Sequence, residues 1–105
     1  MKEISASELK RLMDAGEDLQ LIDVREPEEA ELCSIGGTLM PMGEIVGRLD
    51  EVRKEGLVVV HCRSGARSAA VINALSSRYG RNNLVNLKGG ILAWGREVDH
   101  TLRCD

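Results

Sequence analysis

The sequence predicts an α/β fold: an open parallel sheet of about five strands with helices on both faces. Short apolar stretches alternate along the chain with amphipathic segments, which is typical of repeated strand–helix units. The stretch Leu57 to Val60 is rich in β-branched residues and has no polar side, as expected of a central strand covered on both faces. A length of 105 residues suits one domain over 1–105.

The elements of the first third of the chain follow from local signals. Ser5 and Glu8 have the spacing of a capping box, and they begin an apolar-faced helix that stops at Gly16. Pro27 suits the first turn of a second, brief helix. Glu28 and Glu29, near its positive end, are interpreted as solvated. The strands in this region are placed at Ile4 and over Leu19 to Ile22.

The later elements follow from apolar spacing and glycine stops. Apolar residues at i, i+4 and i+7 predict a helix over Glu44 to Lys54. A further helix over Ser68 to Tyr79 ends at Gly80. The remaining elements are strands over Thr38 to Met40, Leu57 to Val60 and Leu84 to Leu87, and a last helix from Ile91 to about Val98.

Composition excludes several function classes. With 14 basic and 17 acidic residues the net charge is −3, which argues against a nucleic-acid-binding groove. No apolar run approaches the ~18 residues of a membrane span, and the N-terminus lacks the apolar stretch of a signal peptide, so a cytoplasmic protein is predicted. Three cysteines without a C-x-x-C pair argue against a disulfide scaffold and a structural zinc site.

The segment from Cys62 to Ser68, C-R-S-G-A-R-S, is the best candidate for chemistry. Cys62 follows the most apolar strand, and the next residues must turn into the start of a helix, where unpaired amides and the helix dipole favour an anion. Such a setting, with arginines nearby, lowers a cysteine pKa to ~3.5–7.5. The sequence therefore predicts a thiolate nucleophile, with a buried structural cysteine as the alternative.

Each remaining residue of this loop fits that interpretation. Gly65 permits the backbone to curl, Arg63 and Arg67 add positive charge, and Ser64 and Ser68 add hydrogen-bond donors. Ala66 completes the predicted substrate-binding loop of Arg63, Ser64, Gly65, Ala66, Arg67 and Ser68.

Three segments together resemble the rhodanese-like sulfurtransferase domains. Leu21 to Glu29 (L-I-D-V-R-E-P-E-E) is similar to the family's L-I-D-V-R-x-x-x-E segment. Cys62 to Arg67 resembles its six-residue catalytic loop, and Asn86 to Trp94 (N-L-K-G-G-I-L-A-W) resembles its L-x-G-G-x-x-A-W segment. The motifs occur in the family's order and span most of the chain.

The resemblance implies a mechanism without a metal or organic cofactor. The Cys62 thiolate would attack the outer sulfur of a small-molecule donor such as thiosulfate, release sulfite and become a persulfide. A nucleophilic acceptor would then remove that sulfur, and the loop amides would stabilise the anionic sulfur in both steps.

One departure from the family pattern points to a subgroup. Leu32 to Pro41 lacks the histidine that many members carry, and Cys33 lies in that segment instead. In this respect the chain is more similar to the rhodanese domains fused to ubiquitin-activating-like adenylating enzymes. That likeness implies an alternative role as a persulfide donor that delivers sulfur to a carrier protein for molybdopterin or thiolated tRNA synthesis.

A third hypothesis is a cysteine phosphatase or an arsenate reductase, since these enzymes also place a loop at a helix N-terminus. Their loop follows C-x5-R, whereas Cys62 and Arg67 have C-x4-R spacing. The smaller ring suits a sulfur atom better than a tetrahedral phosphate.

Residues outside the loop have supporting or structural interpretations. Asp23 and Arg25 follow a strand that ends at the same edge of the sheet as Cys62. They are interpreted as a structural salt bridge. The functional alternatives are that Asp23 holds Arg67 or the loop, and that Arg25 binds the donor or stabilises the rim. Cys33 is interpreted as buried filler and Cys104 as a frayed terminal residue, rather than as resolving thiols. His61 should point away from Cys62, because side chains alternate along a strand.

Overall fold

The computed structural model describes residues 1–104, which contain five β-strands, four α-helices and one 3₁₀ helix. The strands are β1 (Glu3–Ile4), β2 (Leu19–Asp23), β3 (Thr38–Leu39), β4 (Leu57–His61) and β5 (Leu84–Leu87). The helices are α1 (Ala6–Asp14), α2 (Pro27–Leu32), α3 (Ala66–Tyr79) and α4 (Gly90–Glu97), and the 3₁₀ helix spans Ile45–Glu51.

The five strands form one parallel sheet in the order β1-β5-β4-β2-β3, which confirms the predicted fold class. The central strand β4 pairs with β2 and β5, with Asp23 opposite His61 and Asn86 opposite Val60. The carboxyl ends of β2, β4 and β5 therefore meet at one edge of the sheet, where open α/β sheets bind their ligands.

Two apolar cores cover the two faces of the sheet. Val58 and Val60 of β4 pack with α3 and the 3₁₀ helix, while Val59 packs with α1 and α4. All three valines are fully buried, as predicted for a central strand. Cys62 belongs to the same core as Val58 and Val60, so it lies on the α3 face.

The segment predicted as a helix over Glu44 to Lys54 is shorter and tighter than expected. It is a 3₁₀ helix over Ile45–Glu51 with non-helical backbone at Arg48, whose guanidinium donates to the Leu39 carbonyl at 3.1 Å. Gly47 weakens an α-helix here, and Val52 is buried in an extended conformation. The apolar spacing therefore reports burial of Ile45 and Val52 rather than a regular α-helix.

Helix α3 begins at Ala66, two residues before the predicted Ser68, so the last residues of the Cys62–Ser68 segment lie in the first turn of the helix. Ser5 accepts a hydrogen bond from the Glu8 amide at 3.1 Å and caps α1, whereas the Glu8 carboxylate, the other half of the predicted capping box, accepts from Arg11. Gly80 ends α3 in a left-handed conformation, as predicted. Within residues 1–104, no helix is long and apolar enough to cross a membrane.

Candidate active site

Cys62 follows β4 directly and has only 1% of its surface exposed. Gly65 adopts a positive φ of 106° and turns the chain into α3, a conformation that residues with a Cβ rarely adopt. Arg63, Ser64 and Ala66 are exposed at the rim. The sulfur therefore lies at the bottom of a loop whose outer residues face solvent.

The Cys62 sulfur accepts hydrogen bonds from the residues that close this loop. The Gly65 amide lies 3.1 Å from Sγ, the Ser68 amide 3.5 Å and the Ser68 hydroxyl 3.4 Å. Burial by itself raises the pKa of the Cys62 thiol, but the Ser68 hydroxyl and the amides of Ser68, Gly65 and Arg67 lower it, and the net pKa lies below the ordinary value. The arrangement favours a thiolate, which is the reactive form of cysteine.

The N-terminus of α4 forms backbone hydrogen bonds to the loop. The Cys62 carbonyl accepts from the Ile91 amide at 2.9 Å, and the Arg63 carbonyl accepts from the Leu92 amide at 3.2 Å. Gly90 has a positive φ of 63°, and a Cβ there would collide with the Arg63 carbonyl. The second glycine of the G-G motif is therefore required for this close approach.

Asn86 contacts the loop from β5, although the sequence analysis did not single it out as a site residue. Its side-chain nitrogen donates to the Gly65 carbonyl at 3.1 Å, and its Oδ1 accepts from the Ser68 hydroxyl at 2.6 Å. The side chain is buried, with 3% of its surface exposed. The available signal was one polar residue within the otherwise apolar strand from Leu84 to Leu87.

Arg67 pairs with Glu29 of α2 and not with Asp23. Two guanidinium nitrogens of Arg67 donate to the two Glu29 carboxylate oxygens at 2.6 and 2.8 Å. The Arg67 hydrogen bonds lower the pKa of Glu29 to about 2 and raise that of Arg67. The prediction that Glu29 is merely solvated is wrong, because residues 38 positions apart meet only in the folded chain.

Asp23 and Arg25 form a buried salt bridge below the rim. Arg25 donates from Nε and Nη2 to the Asp23 carboxylate at 2.9 and 2.8 Å, and both side chains are almost fully buried. Burial raises the pKa of Asp23, yet the Arg25 hydrogen bonds and the nearby His61 bring it below the ordinary value. This geometry agrees with the structural interpretation of the pair.

His61 is fully buried beside this salt bridge, with Nε2 3.9 Å from the Asp23 carboxylate. Burial lowers the pKa of His61 more than Asp23 raises it, which favours the neutral imidazole. Its Nδ1 lies 3.4 Å from the Cys62 carbonyl, and strand alternation predicts that the His61 and Cys62 side chains point to opposite faces.

Cys33 and Cys104 are joined by a disulfide, so their interpretation as filler and as a frayed terminal residue is wrong. The bond spans a sequence separation of 71 and ties the chain after α4 to the residue that ends α2. Arg25 also contacts the end of α2, where its guanidinium donates to the Cys33 carbonyl at 2.8 Å. Cys62 is the free cysteine.

No cluster of three or more His, Cys, Asp or Glu side chains within residues 1–104 could hold a metal ion.

Comparison with known proteins identifies the family. A model described as "Rhodanese-like domain" matches residues 5–97. The chain is 40% identical over 98 residues to a sulfurtransferase of Allochromatium vinosum, covering 91% of this chain and 90% of that protein. It is 35% identical to the probable adenylyltransferase/sulfurtransferase MoeZ of Mycobacterium tuberculosis, matching 90% of this chain and 25% of that protein.

Among solved structures, a rhodanese-like domain protein from Staphylococcus aureus superposes with a TM-score of 0.82 at 33% identity, covering 93% of this chain and 95% of that chain. The superposition and the family match agree with the three motifs and with the parallel sheet that carries them. The chain therefore belongs to the rhodanese-like domain family, in which its named relatives include sulfurtransferases.

Proposed function

We propose that this protein is a sulfurtransferase in which Cys62 carries the transferred sulfur as a persulfide. The observation that supports this most directly is the hydrogen bonding of Sγ, which accepts from the amides of Gly65 and Ser68 at a helix N-terminus. Amides arranged in this way stabilise negative charge on sulfur without reorganising during the reaction. These donors stabilise the Cys62 thiolate, which begins the reaction cycle and is regenerated at its end.

In the first step, the Cys62 thiolate attacks the outer sulfur of thiosulfate. A bond forms between Sγ and that sulfur, the sulfur–sulfur bond of thiosulfate breaks, and sulfite leaves with the electron pair. Arg63 and Ser64 are exposed at the rim, where they meet an incoming anionic donor. Gly65 and Ser68 donate to the sulfur, and Ala66 and Arg67 complete the proposed substrate-binding loop.

In the second step, a nucleophile attacks the outer sulfur of the persulfide and releases the Cys62 thiolate. Cyanide becomes thiocyanate in this reaction, and a thiol becomes a persulfide. A carrier protein is the proposed physiological acceptor. Support comes from the similarity to MoeZ, whose name joins adenylyltransferase and sulfurtransferase activities.

The geometry of Arg67 argues against the phosphatase alternative. A phosphatase loop uses its arginine to hold two oxygens of the bound phosphate. Here two terminal nitrogens of Arg67 are engaged by Glu29 at 2.6 and 2.8 Å. Hydrolysis of aryl phosphates is therefore not expected, and its absence serves as a specificity control.

The test is to add thiosulfate to the purified chain and to measure intact and peptide masses. One added sulfur atom on the Cys62 peptide is expected, together with its removal by cyanide and formation of thiocyanate. The Cys62→Ser variant should show neither product. A persulfide found mainly on Cys33 or Cys104, or rapid aryl phosphate hydrolysis without sulfur transfer, would contradict the proposal.

A further inference from the structure

The Ser68 hydroxyl faces three acceptors but has a single proton to donate. Its Oγ lies 2.6 Å from Asn86 Oδ1, 3.2 Å from the Gly65 carbonyl and 3.4 Å from Cys62 Sγ. A hydroxyl donates one hydrogen bond and accepts two. Asn86 and Cys62 therefore compete for the same proton.

The orientation of the Asn86 amide is determined by its other partner. The Gly65 carbonyl at 3.1 Å requires a donor, so the nitrogen of the amide must face it and Oδ1 must face Ser68. Two oxygens 2.6 Å apart need a proton between them, and an amide oxygen carries none. With Cys62 protonated, the Ser68 proton thus lies on the Asn86 side, where the contact is shorter than the one to Sγ.

We infer that Asn86 is a positioning residue that holds the Ser68 proton while Cys62 is a neutral thiol and yields it when Cys62 becomes an anion. Rotation of the hydroxyl then adds an O–H donor to the amides already aimed at the sulfur. This rotation breaks the Ser68–Asn86 bond, which leaves Oδ1 of a side chain that is 97% buried without that partner. Asn86 thereby limits how far Ser68 lowers the pKa of Cys62.

Because Arg67 is paired with Glu29, hydrogen bonds from uncharged groups can influence the pKa of Cys62. Arg67 of α3 interacts electrostatically with Cys62, and it forms an ion pair with Glu29 of α2. Arg63 lies at the exposed rim, and the His61 imidazole of β4 lies 3.9 Å from the Asp23 carboxylate. The strand β5 contributes the uncharged Asn86, so a change in Cys62 pKa on altering Asn86 does not come from removing a charge.

The inference deepens the proposed function, because the pKa of a thiol sets both its anionic fraction and its nucleophilicity. A thiolate that is stabilised too strongly attacks more slowly, and the best attacking thiol has a pKa near the ambient pH. A donor whose proton is shared with Asn86 stabilises the anion less than a free hydroxyl would.

The experiment is a double-mutant cycle on the pKa of Cys62. The variants are Ser68→Ala, Asn86→Leu and both together, and the pKa is measured from the pH dependence of alkylation of the Cys62 peptide by iodoacetamide. Removal of the Asn86–Gly65 bond is common to both Asn86→Leu proteins and cancels in the cycle. We expect Ser68→Ala to raise the pKa by about one unit more in the Asn86→Leu background than in the native background.

Equal effects of Ser68→Ala in the two backgrounds would overturn the inference, since a purely structural Asn86 predicts no coupling. The cycle is repeated with Asn86→Ala, a smaller substitution that avoids overpacking, and circular dichroism verifies the fold of every variant. Asn83→Ala is the matched control: Asn83 precedes the same strand, and its side chain donates to the carbonyls of Arg53 and Gly56 at 3.0 Å. This control should leave the Cys62 pKa unchanged.

The outcome is independent of the proposed function. Alkylation reports the thiol pKa whether or not thiosulfate reacts with Cys62. Failure to form a persulfide would therefore refute sulfur transfer while leaving the coupling measurable, and loss of coupling with persulfide intact would refute only the role of Asn86.

Discussion

The three cysteines form two sulfur sites, one a free thiol and the other a disulfide. Cys62 is a free thiol whose sulfur accepts amide hydrogen bonds from its own loop, the nearest at 3.1 Å. Cys33 and Cys104 are joined to each other, and the guanidinium of Arg25 lies 3.4 Å from the Cys33 sulfur. The donors to the first sulfur come from residues 65–68, close to Cys62 in the chain, and this is the proposed site of sulfur transfer. The second site joins segments that are distant in the chain.

The difference shows that a cysteine's role depends on the backbone that surrounds it. At Cys62, a strand end, a left-handed glycine and a helix start turn several amides towards one sulfur. At Cys33 the chain leaves α2 in an extended conformation, and only the returning C-terminal segment gives the sulfur its partner. If the two sites have separate roles, substitutions at one should change stability and substitutions at the other should change sulfur transfer.

The largest expected effect on stability comes from removal of the disulfide. Changing both Cys33 and Cys104 to serine should lower the free energy of unfolding by about 2–4 kcal/mol, because the open chain gains conformational entropy when unfolded. Urea titrations of the variant, and of the native chain with and without dithiothreitol, measure this loss. Sulfur transfer at temperatures where both proteins are folded should stay within a few-fold of native.

Cys62→Ser is the reciprocal control, since it should abolish sulfur transfer and keep the disulfide. A comparable loss of transfer in the folded Cys33→Ser, Cys104→Ser variant would instead indicate a relay between the thiols and end the proposed separation of roles.

A partial loss of sulfur transfer is expected when the ring of amides around the Cys62 sulfur is widened. Insertion of one glycine after Ser64 displaces the amides from the sulfur, and a shift of ~1 Å in catalytic groups can cost about a hundredfold in rate. We expect sulfur transfer to fall at least tenfold with the disulfide still formed. Thiosulfate:cyanide turnover and non-reducing mass measurement check the two parts. Unchanged turnover would show that the amide geometry is unimportant.

The smallest effect concerns Glu29 of α2. This residue pairs with Arg67 of the Cys62 loop, and the same helix ends at Cys33 of the disulfide. Because the folded pKa of Glu29 is lowered to about 2, its contribution to stability is present above the ordinary value and is lost as the pH falls towards 2. Glu29→Gln should cost about 0.5–1 kcal/mol at neutral pH, since the pair is partly exposed and screened by solvent.

The measurement for this pair is the free energy of unfolding of both proteins from pH 7 down to about 2. The native and Glu29→Gln curves should converge at the acid end as the carboxylate is protonated. Glu28→Gln is the matched control, because Glu28 is the neighbouring exposed carboxylate on the same helix. Curves separated by a constant amount at every pH would rule out ionisation of Glu29 as the cause.

Sequence patterns were most informative where the physical cause is local. The capping hydrogen bond of Ser5, the left-handed stop at Gly80 and the covered strand Leu57–His61 follow from steric and hydrogen-bonding rules that act over a few residues. The same holds for Cys62, because a strand end, a glycine and a helix start are contiguous. By contrast, the sequence predicts an α-helix over Glu44 to Lys54, whereas the structure has a shorter 3₁₀ helix in which the non-helical Arg48 donates to the Leu39 carbonyl, a contact outside the segment.

By itself, the sequence determined the parallel α/β architecture and the position of a cysteine at the carboxyl end of its central strand. Only the tertiary structure decided which partners meet there: Glu29 on Arg67, Asn86 on Ser68 and Gly65, and Cys104 on Cys33. The physical reason is the distance along the chain over which each kind of interaction acts. Backbone conformation responds to neighbours along the chain, whereas these contacts join residues 18 to 71 positions apart, which come together only when helices pack against the ordered strands.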